Sequence, residues 1–214
     1  MPALLGALTL LVAGCGASAA GSSDGTTSKG TTSNGVATVP TQAAGEHGDP
    51  LVPAKALPAL SFTDTSGKPF ALRSEPTKGL LLLYFGYTRC PDVCPTTMAD
   101  VAAALNQLPA SVRDRVTVGF ISVDPAYDTP KRIRLWLNHF STSFIGLHGS
   151  TALVHQAQRD VGLPVLPGKA SVTNHSAELL VFGADKKAHY AYTAGQSAAD
   201  YEADLPVLVQ RYGS

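Results

Sequence analysis

The hydrophobic pattern predicts a buried strand near the middle of the chain. Residues 80–85 form an uninterrupted apolar run, which is typical of a strand covered on both faces. The run ends at Gly86, a short polar loop follows, and apolar residues then recur at helical spacing from 95 to 108. Pro95 is expected to open this helix, because proline is favoured at the first helical position. A second buried strand is predicted over residues 116–123.

Strands and helices alternate along the rest of the chain. Thr129 is the expected N-cap of a helix with Pro130 at its first position, and the apolar residues of this helix, Leu135 among them, are expected to be buried. Ser150 and Ser197 are expected to cap two later helices. The other predicted elements are a hairpin over 61–72, a short strand over 144–147, strands over 177–183 and 188–193, and helices ending near 161 and 212.

This order of elements predicts an α/β fold with a central mixed β-sheet flanked by helices and an N-terminal hairpin. The order resembles that of the thioredoxin-like fold. In that fold the redox position is the loop between the first central strand and the helix that follows it. In this chain the corresponding loop contains Cys90 and Cys94.

The first 14 residues have the pattern of a secretory signal. Residues 1–13 are almost wholly apolar but too few to cross a bilayer as an ordinary helix. They lead into Leu-Val-Ala-Gly-Cys at 11–15, which resembles the lipobox of bacterial lipoproteins. The resemblance implies cleavage after residue 14, a lipid on Cys15 and a position at the outer face of the cell membrane. The alternatives are an ordinary cleaved signal or an uncleaved anchor, and both also place the domain outside the cytoplasm.

Residues 15–56 are predicted to be a tether, and residues 57–214 are predicted to form the folded domain. From Gly16 to about Pro50 the chain is mostly Ser, Thr, Gly and Ala, with hardly any large apolar residue. Such a segment buries too little surface to offset the entropy lost on ordering, so we expect it to be flexible. His47 lies in this segment and is expected to be solvated.

Composition excludes two classes of protein. The chain has 214 residues, with 16 Lys and Arg against 16 Asp and Glu, so its formal net charge is zero. The basic residues are scattered and do not outnumber the acidic ones, so no positively charged surface for binding nucleic acid is expected. With only three cysteines, the chain is not a disulfide-stabilised scaffold.

Cys90 and Cys94 are the candidate chemical centre. Thiolates bind Cu(I), zinc and iron–sulfur clusters, and a pair of thiols can instead form a disulfide. A thioredoxin-type oxidoreductase has two residues between its cysteines, whereas this chain has three. The domain has no other cysteine, so a zinc or cluster site made of cysteines alone within one chain is excluded, and a third ligand would be histidine or carboxylate. The spacing leaves metal binding and redox chemistry both open.

The position of the pair favours the thiolate form. Cys94 lies just before Pro95, at the expected helix N-terminus, where the helix dipole stabilises an anion. Arg89 adds a positive charge nearby. Asp124 and Asp128 follow the second buried strand and are interpreted as turn and capping residues.

Three motifs follow one another along the chain. They are Cys-Pro-Asp-Val-Cys-Pro at 90–95, Ile-Ser-Val-Asp-Pro at 121–125 with Asp-Thr-Pro at 128–130, and His-Ser at 175–176 before a strand. In order and spacing they resemble the motifs of the Sco/SenC family. The resemblance implies a thioredoxin-like protein that binds copper and helps to assemble the binuclear copper centre of cytochrome c oxidase.

The same resemblance implies which residues bind copper. Carried over to this chain, the ligands are Cys90, Cys94 and His175, with Cu(I) as the expected ion and Cu(II) as a further candidate. Asp92, between the cysteines, and Asn174, next to the histidine, are candidates for supporting contacts around the metal. The family usually has Asp where this chain has Asn174, so a charge that would stabilise the imidazolium is absent.

The sequence therefore predicts a membrane-anchored copper chaperone outside the cytoplasm. Its expected partners are the copper-receiving subunit of a haem-copper oxidase, an upstream copper donor or thiol reductant, and the membrane through its lipid; no nucleic acid is expected. The alternative is a thiol–disulfide oxidoreductase that reduces the cysteines of the copper acceptor. It would use Cys90 and Cys94 as its redox dithiol without needing His175. One protein could do both, because a dithiol must be reduced before it binds metal.

Overall fold

Eight strands form one mixed sheet in the computed structural model, which describes residues 46–165 and 178–214. From one edge to the other the strand order is β1-β8-β7-β4-β5-β6-β2-β3. The strands are β1 Asp49–Ala56, β2 Ser61–Asp64, β3 Pro69–Ala71, β4 Leu80–Gly86, β5 Val116–Ser122, β6 Ile145–His148, β7 Leu179–Phe182 and β8 Lys187–Tyr192.

Helices cover both faces of the sheet. One hydrophobic cluster joins alternate residues of β4, such as Leu82, to the longest helices, and the other joins the intervening residues, such as Leu83, to a helix on the opposite face. The helices are α1 Val93–Gln107, α2 Ala110–Arg113, α3 Pro130–Leu137, α4 Thr151–Asp160 and α5 Ala198–Tyr212, with a 3-10 turn at Leu72–Ser74.

The pairing of the strands confirms the predicted mixed sheet. β4 runs parallel to β5, and β5 runs parallel to β6. β7 pairs antiparallel with β4 and with β8, and β2 and β3 form the predicted N-terminal hairpin. Every residue of β4 is buried, as expected for a central strand covered on both faces.

The predicted caps are confirmed at three helices. The side chains of Thr129, Ser150 and Ser197 each accept a hydrogen bond from a backbone N–H in the first turn of α3, α4 and α5. The expectation that Leu135 is buried is wrong: it is 56% exposed. Within α3 only Ile133 and Leu137, four residues apart, are fully buried, because a short surface helix buries a narrow stripe.

The helix after the cysteines begins earlier than predicted. α1 starts at Val93, so Pro95 is its third residue and Cys94 lies inside its first turn. Proline is tolerated there because the first four N–H groups of a helix have no intrahelical partner.

Strand β1 lies within the segment that the sequence predicted to be tether. It pairs antiparallel with β8, with Asp49 opposite Ala191 and Ala56 opposite Lys187. Just before it, His47 is hydrogen-bonded to Asp204 of α5, which corrects the expectation of a merely solvated tail histidine. Ordered structure therefore precedes residue 57, the predicted start of the domain.

Three sequence-predicted residues, Cys15, Asn174 and His175, lie outside the described residues. In the described part of the chain, none of the helices has the length and apolar character needed to span a bilayer.

Candidate metal centre

The two cysteines lie at the carboxyl end of the central strand. β4 ends at Gly86, and the chain then makes a turn, residues 87–90, which we call the cysteine turn. The turn is closed by a hydrogen bond of 3.2 Å from the Cys90 N–H to the Tyr87 carbonyl. Three residues later α1 begins and carries Cys94 in its first turn. Neither cysteine is in a disulfide, and Cys90 is 5% exposed whereas Cys94 is fully buried.

The start of α1 brings the two cysteines into direct contact. The backbone N–H of Cys94 donates to Sγ of Cys90 at 3.4 Å, within the range for a hydrogen bond to sulfur. It is therefore the sulfur of Cys90 that accepts a hydrogen bond from an N–H group at the helix N-terminus. The sequence had assigned that favourable position to Cys94.

The surroundings of Cys94 disfavour its thiolate, contrary to the prediction. Burial raises the pKa of the Cys94 thiol to about 12, since the charged form loses its hydration. The nearby Tyr84 hydroxyl lowers the pKa of this thiol but is the weaker effect. Metal binding at this thiol would therefore have to displace a tightly held proton.

Close packing at the end of β4 places Tyr84 against Cys94. Tyr84 is fully buried, and burial raises the pKa of its hydroxyl far above the usual range. A Cβ atom at Gly86 would come within 2.6 Å of Cε1 of Tyr84 and 3.1 Å of Sγ of Cys94. Only glycine allows this approach, so Gly86 does more than end the strand. Tyr84 is a residue of the site that the sequence treated only as part of an apolar run.

The loop between β5 and α3, residues 123–129, holds the cysteine turn from the side. The buried carboxylate of Asp128 accepts hydrogen bonds from the backbone N–H and the hydroxyl of Thr88, at 2.9 and 2.5 Å. Asp124 forms an ion pair with Arg89, with Oδ2 and Nη2 2.5 Å apart. The sequence had interpreted both aspartates as turn and capping residues, whereas their side chains reach across to the cysteine turn.

The guanidinium group of Arg89 interacts with two neighbouring side chains, Asp124 and Tyr127. The guanidinium pairs with Asp124 and lies 4.0 Å from the centre of the Tyr127 ring. Its side chain is 45% exposed. An arginine paired in this way supplies less field to a nearby thiolate than the sequence indicated.

Asp92 lies between the cysteines and is exposed. It occupies the N-cap position of α1, but its side chain makes no capping hydrogen bond. Its backbone carbonyl instead accepts from the N–H and the hydroxyl of Thr96. Its supporting role at the metal stays a prediction.

The described residues supply two of the three predicted ligands. Within residues 46–165 and 178–214 no group of three His, Cys, Asp or Glu side chains converges to hold a metal. Two soft thiols that touch through the first turn of a helix fit a thiophilic ion such as Cu(I). His175 and Asn174 lie outside the described residues, so their positions stay predictions.

Comparison with known proteins identifies relatives over most of the folded part. A family model described as SCO1/SenC matches residues 51–210. A protein of Stutzerimonas stutzeri described as copper-binding is 36% identical over 137 residues, 61% of this chain and 66% of that protein, so the match spans less than two thirds of that relative.

Two solved structures are similar in fold. The apo Sco1 protein of Thermus thermophilus is 32% identical with a TM-score of 0.64, over 76% of this chain and 96% of that one. The copper-bound ScoI of Bradyrhizobium japonicum is 27% identical with a TM-score of 0.61, over 74% of this chain and 99% of that one. The predicted thioredoxin-like α/β fold is confirmed.

Proposed function

This chain belongs to the SCO1/SenC family, and from that premise we propose that it delivers copper to the binuclear copper centre of cytochrome c oxidase. Proteins of this family bind copper and take part in the assembly of that oxidase. The observation that carries the proposal is the pair of buried cysteines, Cys90 and Cys94, which form no disulfide and are joined through the first turn of α1.

The chemistry of the pair supports a copper cargo. Two thiolates are the soft ligands that Cu(I) prefers, and His175 is proposed as the third ligand. Burial raises the pKa of Cys94 to about 12, so loading releases a proton and becomes more favourable as the pH rises. The near-complete burial of both sulfurs would also shield the ion from water.

A second candidate function is thiol–disulfide exchange with the cysteines of a copper acceptor. The difference in exposure between the two residues favours this candidate, because Cys90 is 5% exposed whereas Cys94 is fully buried. A cysteine that keeps slight contact with solvent beside a fully buried one is the arrangement in which the first attacks a partner and the second resolves the mixed disulfide.

The proposed setting is the outer face of the cell membrane, with Cys15 carrying the lipid. The proposed partners are the copper-receiving subunit of a haem-copper oxidase and an upstream copper donor or thiol reductant. Anchoring would raise the effective concentration of the domain near a membrane-bound acceptor. Mass spectrometry of the mature N-terminus tests the anchor: a first residue other than lipid-modified Cys15 would refute it.

The copper proposal is tested by anaerobic competition with a chromophoric Cu(I) chelator. The full chain carrying Cys15→Ser, which removes the remote thiol, is compared with the same chain carrying His175→Ala or both Cys90→Ser and Cys94→Ser. We expect one copper per chain, loss of that copper in the double serine variant, and affinity at least about tenfold weaker in His175→Ala, which is about 1.4 kcal/mol.

His139→Ala is the matched control, because His139 is exposed and lies just beyond α3. Affinity equal to that of the parent in His175→Ala would remove His175 from the site and favour the oxidoreductase. Absence of one-to-one binding by the parent chain would overturn the copper proposal itself.

A further inference from the structure

Both central residues of the cysteine turn are held by one loop. The turn runs from Tyr87 to Cys90 and is closed between its ends, so Thr88 and Arg89 are its central residues. Thr88 is bound by Asp128 and Arg89 by Asp124, both in the loop between β5 and α3. The turn that presents Cys90 therefore depends on contacts about 40 residues away in sequence.

Of the two contacts that hold the cysteine turn, the one made by Asp128 is buried. Asp128 is fully buried and, besides its two bonds from Thr88, accepts a hydrogen bond of 2.6 Å from the hydroxyl of Ser122, the last residue of β5. The carboxylate thus links the end of one central strand to the turn that follows the other. Hydrogen bonds to a buried charged acceptor are stronger than neutral ones, and a donor left without its acceptor pays the full desolvation penalty.

The loop that carries Asp128 is itself closed by hydrogen bonds. The backbone N–H groups of Tyr127 and Asp128 both donate to the carbonyl of Asp124, at 3.0 and 2.8 Å. The N–H of Asp124 donates to the hydroxyl of Ser122 at 3.1 Å. The Asp124–Arg89 pair is by comparison a partly exposed ion pair, of a kind that contributes little to stability.

We propose that Asp128 is a positioning residue that acts through Thr88 to hold Cys90 in the geometry needed for paired-thiolate chemistry with Cys94. The inference rests on the proposed function of the cysteine pair. A metal site tolerates little looseness in its supporting contacts, and removing such a contact typically lowers metal affinity about 10- to 100-fold.

The direction of the change in copper affinity distinguishes a positioning role of Asp128 from an effect of its negative charge. Asp128 contributes a negative charge near two groups that become negative when they bind copper. Removal of that charge alone would favour the thiolates and strengthen copper binding. Loss of positioning weakens binding instead, so the two explanations predict opposite changes.

The test compares Asp128→Asn and Thr88→Val with the parent chain carrying Cys15→Ser. Asparagine keeps the shape but loses one acceptor, and valine keeps the backbone N–H of residue 88 but loses the hydroxyl. We expect Cu(I) affinity, measured by chelator competition on folded protein, to fall about tenfold in Asp128→Asn and in the same direction in Thr88→Val. Thr88→Val remains informative if Asp128→Asn fails to fold.

Asp204→Asn is the matched control. Asp204 is also fully buried and accepts three hydrogen bonds, from two groups of His47 and from Tyr192, but none from the cysteine turn. We expect it to lower the thermal midpoint without changing Cu(I) affinity. An equal loss of affinity in Asp204→Asn would assign the effect to general destabilisation and overturn the inference.

A copper-free measurement distinguishes failure of the inference from failure of the proposed function. In glutathione buffers the two thiols form one disulfide as oxidised glutathione takes up their two electrons and two protons to give two glutathione thiols. We expect Asp128→Asn to lower this equilibrium constant about tenfold, a rise of about 30 mV in reduction potential, because a looser turn lowers the effective concentration of Cys90 at Cys94. Failure of the parent to bind copper would overturn the function, whereas unchanged disulfide and copper equilibria in both variants would overturn the role of Asp128.

Discussion

Cys90 and Cys94 share a motif but have different surroundings. Cys90 sits on a turn, touches solvent and accepts the N–H of Cys94 at the start of α1. Cys94 is enclosed by the core, next to Tyr84, and burial raises its pKa to about 12. The N–H of Cys94 at the helix N-terminus therefore bonds to Sγ of Cys90, which precedes the helix. It stabilises that sulfur more directly than Sγ of Cys94.

This asymmetry predicts a strict order of alkylation. In the reduced, folded chain carrying Cys15→Ser at pH 8, iodoacetamide should modify Cys90 first. With a pKa of about 12, Cys94 should react on the order of a thousandfold more slowly than an ordinary thiol, because only the thiolate attacks. Peptide mass spectrometry over time gives both rates.

The same chain in concentrated urea is the control, because unfolding removes the difference in burial between the cysteines. There the two rates should come together. Equal rates in the folded chain would contradict the buried, protonated state of Cys94.

At the scale of elements, β1 is attached to the domain by residues at its start. Glu46 and His47, which we call the N-terminal latch, contact two other elements. Glu46 accepts a hydrogen bond from the Tyr190 hydroxyl of β8 and pairs with Arg211 of α5, with Oε1 and Nη1 2.6 Å apart. His47 binds Asp204 through its backbone N–H at 2.7 Å and its ring Nδ1 at 2.9 Å.

The latch makes part of the stability depend on pH. The hydrogen bond with Asp204 raises the pKa of His47 above its ordinary value of 6.5, helped by the charges of Asp204 and of Asp200, 3.5 Å from Nε2. The folded state thus holds the proton more tightly than the unfolded state. The stabilisation is complete below pH 6.5 and is lost as the pH rises through the higher, folded pKa.

His47→Gln should therefore reduce the free energy of unfolding more at pH 5.5 than at pH 8.5. Urea unfolding of both proteins at the two pH values measures this difference. His139→Gln, at an exposed histidine outside the latch, is the control for loss of an imidazole in general. A His47→Gln effect of the same size at both pH values would show that the proton on His47 contributes nothing.

At the scale of the whole molecule, local patterns in the sequence predicted most of the fold. The apolar run of β4 and the caps Thr129, Ser150 and Ser197 are local signals, since each depends on residues a few positions apart. The two candidate cysteines were also identified from a local signal, because they lie only four positions apart. The helix start was misplaced by two residues because proline fits several positions in a first turn.

The features that the sequence did not predict depend on distant contacts. β1 contains Pro50 and Pro53 and has exposed residues, features that suit an edge strand but look like a linker. The role of Asp128 depends on Thr88, 40 residues earlier, and its neighbours in sequence favoured a local turn or cap. The role of Asp128 could be recognised only in the folded structure, where the loop after β4 and the loop after β5 meet at the same end of the sheet.

The last prediction concerns where the folded domain begins. A chain starting at Leu57 lacks β1 and the latch, so β8 becomes an edge strand with unpaired backbone groups. It also lacks the two bonds from His47 to Asp204 and the bond between Glu46 and Tyr190. At about 1 kcal/mol for the buried bond between Glu46 and Tyr190 alone, we expect a thermal midpoint at least about 2–4 °C lower than that of a chain starting at Glu46.

Calorimetry and light scattering of the two chains distinguish the possible boundaries. The shorter chain should also associate at high concentration, because an uncovered strand edge can pair with another copy. Equal midpoints and equal monomeric behaviour would mean that β1 adds nothing to the domain and that the boundary lies at residue 57. A lower midpoint would extend the domain to the latch, and any tether would then have to end before Glu46.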